Sequence, residues 1–208
     1  MRTRLAASLA LGALGAGLLT GVGSLAFADD LVEHDTVDVW FEVPDEKALT
    51  MTVAANEAEL TEGASADPTQ RVFTGTLPTV TVTDTRDAED IPAGVGWAVL
   101  AGATDFQGDA GQADIPANQL GWTPSLIAGE DLGLVSAGGV VASRLDDTGS
   151  DGIAADASPE LLAMALDSGA AAEEQNGVWQ ATAALVLKTD AIVEPGKYTS
   201  ELTLSLFE

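Results

Sequence analysis

Apolar residues recur at every second position through the carboxyl-terminal third of this chain, and that period is what most constrains its fold. Trp179, Ala181, Ala183, Leu185 and Leu187 fall on one face of an extended segment, and Tyr198, Ser200, Leu202, Leu204 and Leu206 alternate through the next. A period of two is the signature of a β-strand, whereas a helix with one apolar face repeats every three to four residues. The same period appears in residues 36–43, where Val37, Val39, Phe41 and Val43 oppose Asp38 and Glu42, and in Thr79-Val80-Thr81-Val82-Thr83. Further strands are expected at residues 48–53, 96–101, 121–127 and 133–141. Glu194-Pro195-Gly196-Lys197 places a fixed φ and a permissive residue where a type II turn needs them, which predicts a hairpin between the last two strands. Residues 158–169 carry both helix start and stop signals and an apolar run that fits a strand; the surrounding pattern favours strand. Residues 55–69 and 144–159 read as exposed loops. Short strands separated by Gly, Pro and Asp predict an all-β fold, an antiparallel β-sandwich of Ig-like or jelly-roll-like form.

The 208 residues leave room for one domain with a tail, and 46% hydrophobic against 20% charged residues is a globular composition. Cysteine is absent, which excludes a disulfide framework, a thiolate metal site and a cysteine nucleophile. A single histidine, His34, excludes a His-rich metal centre. Asp and Glu total 33 against 8 Lys and Arg, a net charge of −25. Such a field repels nucleic-acid phosphates and anionic membranes and favours cations and basic partners.

The amino terminus reads as an address. Arg2 and Arg4 precede an uncharged run from Leu5 to Phe27, which ends in Ala26-Phe27-Ala28. Small residues at −3 and −1 of that end match a signal-peptidase site, so residues 1–28 are expected to be a cleaved signal helix and residues 29–208 one β-sandwich domain. Five glycines in the run argue against a retained anchor. Cleavage leaves six basic residues against 33 acidic ones, a net charge of −27, on a chain expected to be secreted or held at the cell surface with no transmembrane segment.

Several pieces, in order, resemble the WxL-type cell-surface domain of Gram-positive bacteria in its shorter actinobacterial form. Leu77-Pro78-Thr79-Val80-Thr81-Val82-Thr83-Asp84-Thr85-Arg86 is similar to a family strand that ends in an Asp-x-Arg turn. Gly96-Trp97-Ala98-Val99 is similar to its Gly-Trp strand, followed by Asp105-Phe106. The stretch from Ile115 to Pro124, with Gly121-Trp122, is similar to a segment of the actinobacterial members. Gly177-Val178-Trp179 and the run from Pro195 to Leu206 resemble the closing strands. Where the family carries its Trp-x-Leu elements, this chain has Trp97-Ala98-Val99 and Leu204-Ser205-Leu206. The resemblance implies a non-catalytic β-sandwich that associates with the peptidoglycan wall or with other surface proteins.

Each candidate site has a plain structural alternative. Trp40, Trp97 and Trp122 are candidates for a sugar-stacking or partner-binding platform; the alternative is that they fill the core, as Trp179 does by its register. Trp40 lies opposite the Val37 and Phe41 face and is the one expected to be exposed. Asp146, Asp147 and Asp151, with Asp156 beyond, are candidate oxygen ligands for Ca²⁺, though their order does not fit an EF-hand and a solvated acidic loop needs no metal. Asp84, Asp87, Glu89 and Asp90 form a second acidic cluster, in which an Asp84–Arg86 pairing is expected. His34, between Glu33 and Asp35, reads as a surface residue.

These features point to a secreted non-enzymatic protein that holds non-covalently to the cell wall or to another surface protein, with no obligatory cofactor and no nucleic-acid partner. The alternative from a different class is a Ca²⁺-stabilised structural or adhesive subunit of an extracellular layer. A wall-glycan hydrolase using paired carboxylates is a third reading; with 33 acids some pair at that spacing arises by chance.

Overall fold

The computed structural model describes residues 39–42, 47–127, 133–146 and 149–208. The chain divides into two units, Met1–Val43 and Pro44–Glu208. The expected signal segment, residues 1–28, and His34 lie outside the described residues. In the second unit the strands are β1 (Leu49–Val53), β2 (Thr61–Gly63), β3 (Gln70–Thr76), β4 (Val80–Asp84), β5 (Trp97–Ala103), β6 (Gln107–Gly108), β7 (Leu120–Leu126), β8 (Val135–Ala137), β9 (Glu160–Ala165), β10 (Val178–Asp190), β11 (Tyr198–Thr199) and β12 (Leu202–Phe207). One α-helix, α1 (Ser168–Gln175), joins β9 to β10. Among the described residues no helix is long and apolar enough to cross a membrane.

Two antiparallel sheets make the sandwich. The first is organised around β10, whose 13 residues alternate as the sequence requires: Trp179, Ala181, Ala183, Leu185 and Leu187 are buried. One edge of β10 pairs with β7, and the other is shared end to end by β4 and β3. Between those two, Leu77, Pro78 and Thr79 oppose only Thr182 and Ala183, so the partner strand bulges by one residue. Proline has no N–H for a ladder and is tolerated at such a break. The bulge is pinned by Leu77 N–H donating to the Ala183 carbonyl at 2.9 Å and by the Thr182 hydroxyl donating to the Leu77 carbonyl at 2.6 Å. Beyond them β1 pairs with β4 and β2 with β3.

The second sheet has the order β12-β5-β9-β8. Its inward side chains, Trp97, Val99, Leu162, Ala163 and Val135 among them, meet Val80, Val82, Trp122 and Trp179 of the first sheet in one core cluster. At roughly 25 cal/mol per Å² and about 150–250 Å² for each large aromatic, every such ring contributes about 4–6 kcal/mol of transfer free energy as an upper bound.

The strands expected at 48–53, 79–83, 96–101 and 121–127 are present as β1, β4, β5 and β7, and the ambiguous run at 158–169 begins as strand β9. Residues 133–141 shorten to β8, with Val141 returning to bridge Trp122. Within the expected loop at 55–69 lies β2.

The hairpin expected at Glu194–Lys197 is not formed. Both edges of β10 are already occupied, so the chain after Pro195 leaves that sheet: β11 pairs with β6 and β12 with β5. The strand expected at 36–43 is also absent over its described part. Residues 39–42 belong to no strand, and Val39 and Phe41, expected on a buried face, are 90% and 85% exposed.

Candidate functional site

Two of the three candidate aromatics are core residues. Trp97 and Trp122 are each 2% exposed, so their ring faces are not open to a sugar or a partner. Trp97, from β5, meets Trp179, from β10, with ring centroids 5.3 Å apart and planes tilted by 41°, which joins the two sheets through an aromatic pair. The indole Nε1 groups of Trp97, Trp122 and Trp179 are buried and find no hydrogen-bond partner among the described residues.

The recurring Gly-Trp pair has a packing cause. A Cβ on Gly96 would collide with the Ala165 carbonyl of the neighbouring strand β9, and one on Gly121 would lie 2.6 Å from the Val141 carbonyl. In both places the absence of a side chain lets an adjacent backbone approach the strand closely, just before the tryptophan.

Trp40 behaves as expected. It is 80% exposed, and its neighbours Val39 and Phe41 are as open as it is. Three consecutive large apolar side chains in water make the most conspicuous unpaired surface among the described residues.

The acidic loop at 144–159 is tied into the fold. Asp146 accepts from Lys188 of β10, and through its other oxygen from the Ser143 N–H at 3.0 Å. Asp151 lies 3.8 Å from Arg144, both side chains largely exposed. The segment that follows is anchored by Ile153, which is fully buried and donates its N–H to the Leu120 carbonyl at 3.0 Å. Asp147 lies outside the described residues. Among the described residues no group of three or more potential ligands is placed to hold a metal ion.

The second acidic cluster contains the clearest polar construction in the molecule. The Asp84 side chain is fully buried at the end of β4. Its Oδ1 accepts from Arg86 Nε at 2.8 Å and from the Arg86 backbone N–H at 3.1 Å, and its Oδ2 accepts from Arg86 Nη2 at 2.7 Å. Burial alone would push the Asp84 carboxyl up; the hydrogen bonds and charge of Arg86 together outweigh it and hold the group below the usual carboxylate range. Arg86 is raised above its ordinary value, chiefly by its hydrogen bond to Asp84, and its Nη1 also donates to Glu208 at 2.5 Å, joining the ends of β4 and β12. The pairing of Asp84 with Arg86 is thus a structural turn. Asp87 in the same cluster is paired with Lys47.

One concave feature has no signal in the sequence. A cleft of about 230 Å³ opens between the 113–119 segment and the chain leaving β10, lined by Asp114, Gln119, Asp190, Ile192, Glu194 and Tyr198. The Tyr198 phenol donates to the Glu194 carbonyl at 2.9 Å, and Ile192 stands 91% exposed at its margin. These residues are brought together only because β11 turns away to pair with β6, which no local pattern announces.

Comparison with models of known families, with curated proteins and with solved structures finds no match for this chain.

Proposed function

We propose that this protein is an exported, non-enzymatic β-sandwich of WxL type that works at the surface of a Gram-positive cell, holding non-covalently to the peptidoglycan wall or to another surface protein. The observation that carries this reading is the exposed run Val39-Trp40-Phe41. Consecutive large apolar side chains left in water mark a contact surface, and an aromatic among them suits either a protein groove or the apolar face of a sugar ring. The antiparallel sandwich and the structural Asp84–Arg86 turn agree with the family that the sequence resembles. The signal-like first 28 residues supply the route out of the cell.

The charge sets a condition on this function. The exported chain's net charge of −27 repels anionic wall polymers, so retention on whole wall requires divalent cations or a basic partner. The test is co-sedimentation of the exported chain with purified wall, with calcium or with chelator, for the native protein and for Trp40→Ala. The native protein pellets when cations are present, and the variant pellets at least several-fold less. A chain that stays in the supernatant under every condition, and crosslinks to no surface protein on intact cells, overturns the reading.

A further inference from the structure

The cleft between the 113–119 segment and the chain leaving β10 is held open by the fold around it. Its lining includes Thr189, which is 1% exposed. The two segments that bound it are tied together: Gln112 Nε2 donates to the Pro195 carbonyl at 3.1 Å, the Asp109 N–H donates to the Lys197 carbonyl at 3.0 Å, and β11 pairs with β6. A ligand therefore meets walls that are already ordered and does not bear the cost of ordering them. The volume, about 230 Å³, lies below the roughly 300–1,000 Å³ of small-molecule pockets and suits one inserted side chain.

What the cleft lacks is a cation. Asp114, Asp190 and Glu194 line it, all three exposed, and no lining residue is basic. The chain has little to supply. Of the six basic residues in 29–208, Lys47, Arg71, Arg86, Arg144 and Lys188 are each paired with an acid elsewhere, and Lys197 is not among the lining residues. A second observation points the same way. Gln119 lines the cleft, and its Oε1 is buried with no hydrogen-bond partner among the described residues. A buried acceptor left unpaired is destabilising, so a donor that arrives there relieves that cost. Beside these acceptors stand the Tyr198 ring and the exposed Ile192, a π face for a cation and apolar surface for its stem. Arginine answers this better than lysine, because its planar guanidinium stacks on an aromatic and carries five donors in a fixed fork. The molecule already uses that arrangement once: Arg71 lies 5.3 Å from the Phe73 ring centroid while paired with Glu62.

We propose that this cleft takes an arginine side chain presented by a basic segment of a partner protein. The guanidinium stacks on Tyr198, faces the carboxylates of Asp114, Asp190 and Glu194, and gives Gln119 Oε1 the donor it lacks; the segment that carries it rests on Ile192. The carboxylates are exposed, so each contributes little, and one arginine alone binds at about the millimolar level. The acidic field of the whole chain draws a basic segment in, and salt weakens that attraction. The inference rests on the reading that a basic partner holds the protein at the surface, and it names the group by which that partner is held.

The test is an NMR titration of the exported chain labelled in its tyrosine ring. Tyr198 is the only tyrosine in the chain, so its ring signal reports on this cleft alone. The probes are N-acetyl-arginine methylamide, the same capped form of lysine, and the same capped form of citrulline, which keeps the shape of arginine and loses the charge. Capped arginine moves the Tyr198 signal saturably with a dissociation constant of about 1 mM, lysine binds several-fold more weakly, and citrulline about tenfold more weakly or less. Asp190→Asn with Glu194→Gln weakens the arginine complex about tenfold, and Gln119→Leu weakens it several-fold. The control, Glu57→Gln with Asp156→Asn, removes the same charge from exposed acids outside the cleft and binds arginine as the native protein does. Circular dichroism confirms that each variant is folded. A shift that never saturates, citrulline equal to arginine, a control that loses as much as the cleft variant, or Gln119→Leu that binds as the native protein does overturns the proposal. No wall is present in the titration, so the two readings fail separately: saturable arginine binding that the cleft variant loses supports this site even where the native chain does not pellet with wall, and pelleting without arginine binding overturns this site alone.

Discussion

Replacing Arg86 by leucine tests whether the buried turn at the end of β4 holds the sandwich as the geometry indicates. The substitution removes both guanidinium hydrogen bonds to Asp84 and the link to Glu208, and leaves the Asp84 carboxylate buried with only the backbone N–H of residue 86. Breaking a buried ion pair costs about 3–5 kcal/mol, because the remaining charge has lost its counter-charge without regaining water. Arg86 is itself one-fifth exposed, at 20%, so some water reaches the site and the lower end, about 3 kcal/mol, is expected. For a domain of this size each kcal/mol moves the melting temperature by about 2–4 °C, giving a loss of about 6–12 °C near neutral pH. The pH dependence supplies the sharper check. The native Asp84 carboxyl lies below its unfolded value, so its stabilising contribution is full above about pH 4 and is lost as pH falls through the native pKa. In the variant burial dominates and raises the carboxyl, so protonation relieves the penalty, and the gap between variant and native protein narrows in acid. Thermal unfolding followed by circular dichroism between about pH 3 and pH 7 measures both effects across the carboxylate range. A loss below about 1 kcal/mol, the scale of a surface pair, or a gap that stays constant with pH, refutes the reasoning.

Two further pairs of substitutions probe the tryptophans and the glycines before them. Trp97→Phe removes a buried indole N–H that has no partner among the described residues, so the saved desolvation offsets much of the lost packing and the net change stays within about 1 kcal/mol, whereas Trp97→Ala loses about 3–5 kcal/mol; urea midpoints distinguish them, and equal losses contradict this account. Gly121→Ala places a Cβ 2.6 Å from the Val141 carbonyl and 2.7 Å from the Ser143 nitrogen, both backbone atoms, and is expected to destabilise by about 1–3 kcal/mol. Gly63→Ala, with nothing within 4 Å, is the matched control, and an equal loss there would show that the collision at Gly121 is not the cause.

What the sequence made legible was whatever depends on one strand alone. The alternation of Trp179 to Leu187 correctly assigned the inward face of β10, and Thr79 to Thr83 did the same for β4. The Asp84–Arg86 pairing was legible because both residues sit in one turn. The hairpin at Glu194–Lys197 failed because turn chemistry says where a chain bends and not which edge is vacant, and β10 had no vacant edge. The burial of Trp97 and Trp122 is the core alternative that the sequence already offered, but the Gly-Trp pair could not decide it: the pair reads the same whether the glycine serves a binding cleft or the approach of a neighbouring backbone. Helix α1 follows an apolar run that is strand, and its actual start is marked by Asp167, whose carboxylate accepts from the Ala170 N–H at 3.0 Å. For residues 39–42 the alternation of the strand pattern is intact while the partner is absent from the described sheets.

The placement of β10 has a consequence for when the molecule can fold. Gln70 pairs with Asp190, Leu120 with Leu187 and Val82 with Trp179, so β3, β4 and β7 all find their common neighbour near the end of the chain, and β5 waits still longer for β12. Contacts this distant in sequence carry loop-closure entropy before they return any burial, and topologies dominated by them fold slowly. A growing chain that has reached residue 177 has neither the spine of the first sheet nor the outer strand of the second. Local pairings such as β1 with β4 and β5 with β9 can form earlier, but neither sheet can be completed until the last thirty or so residues of a strongly acidic chain have emerged.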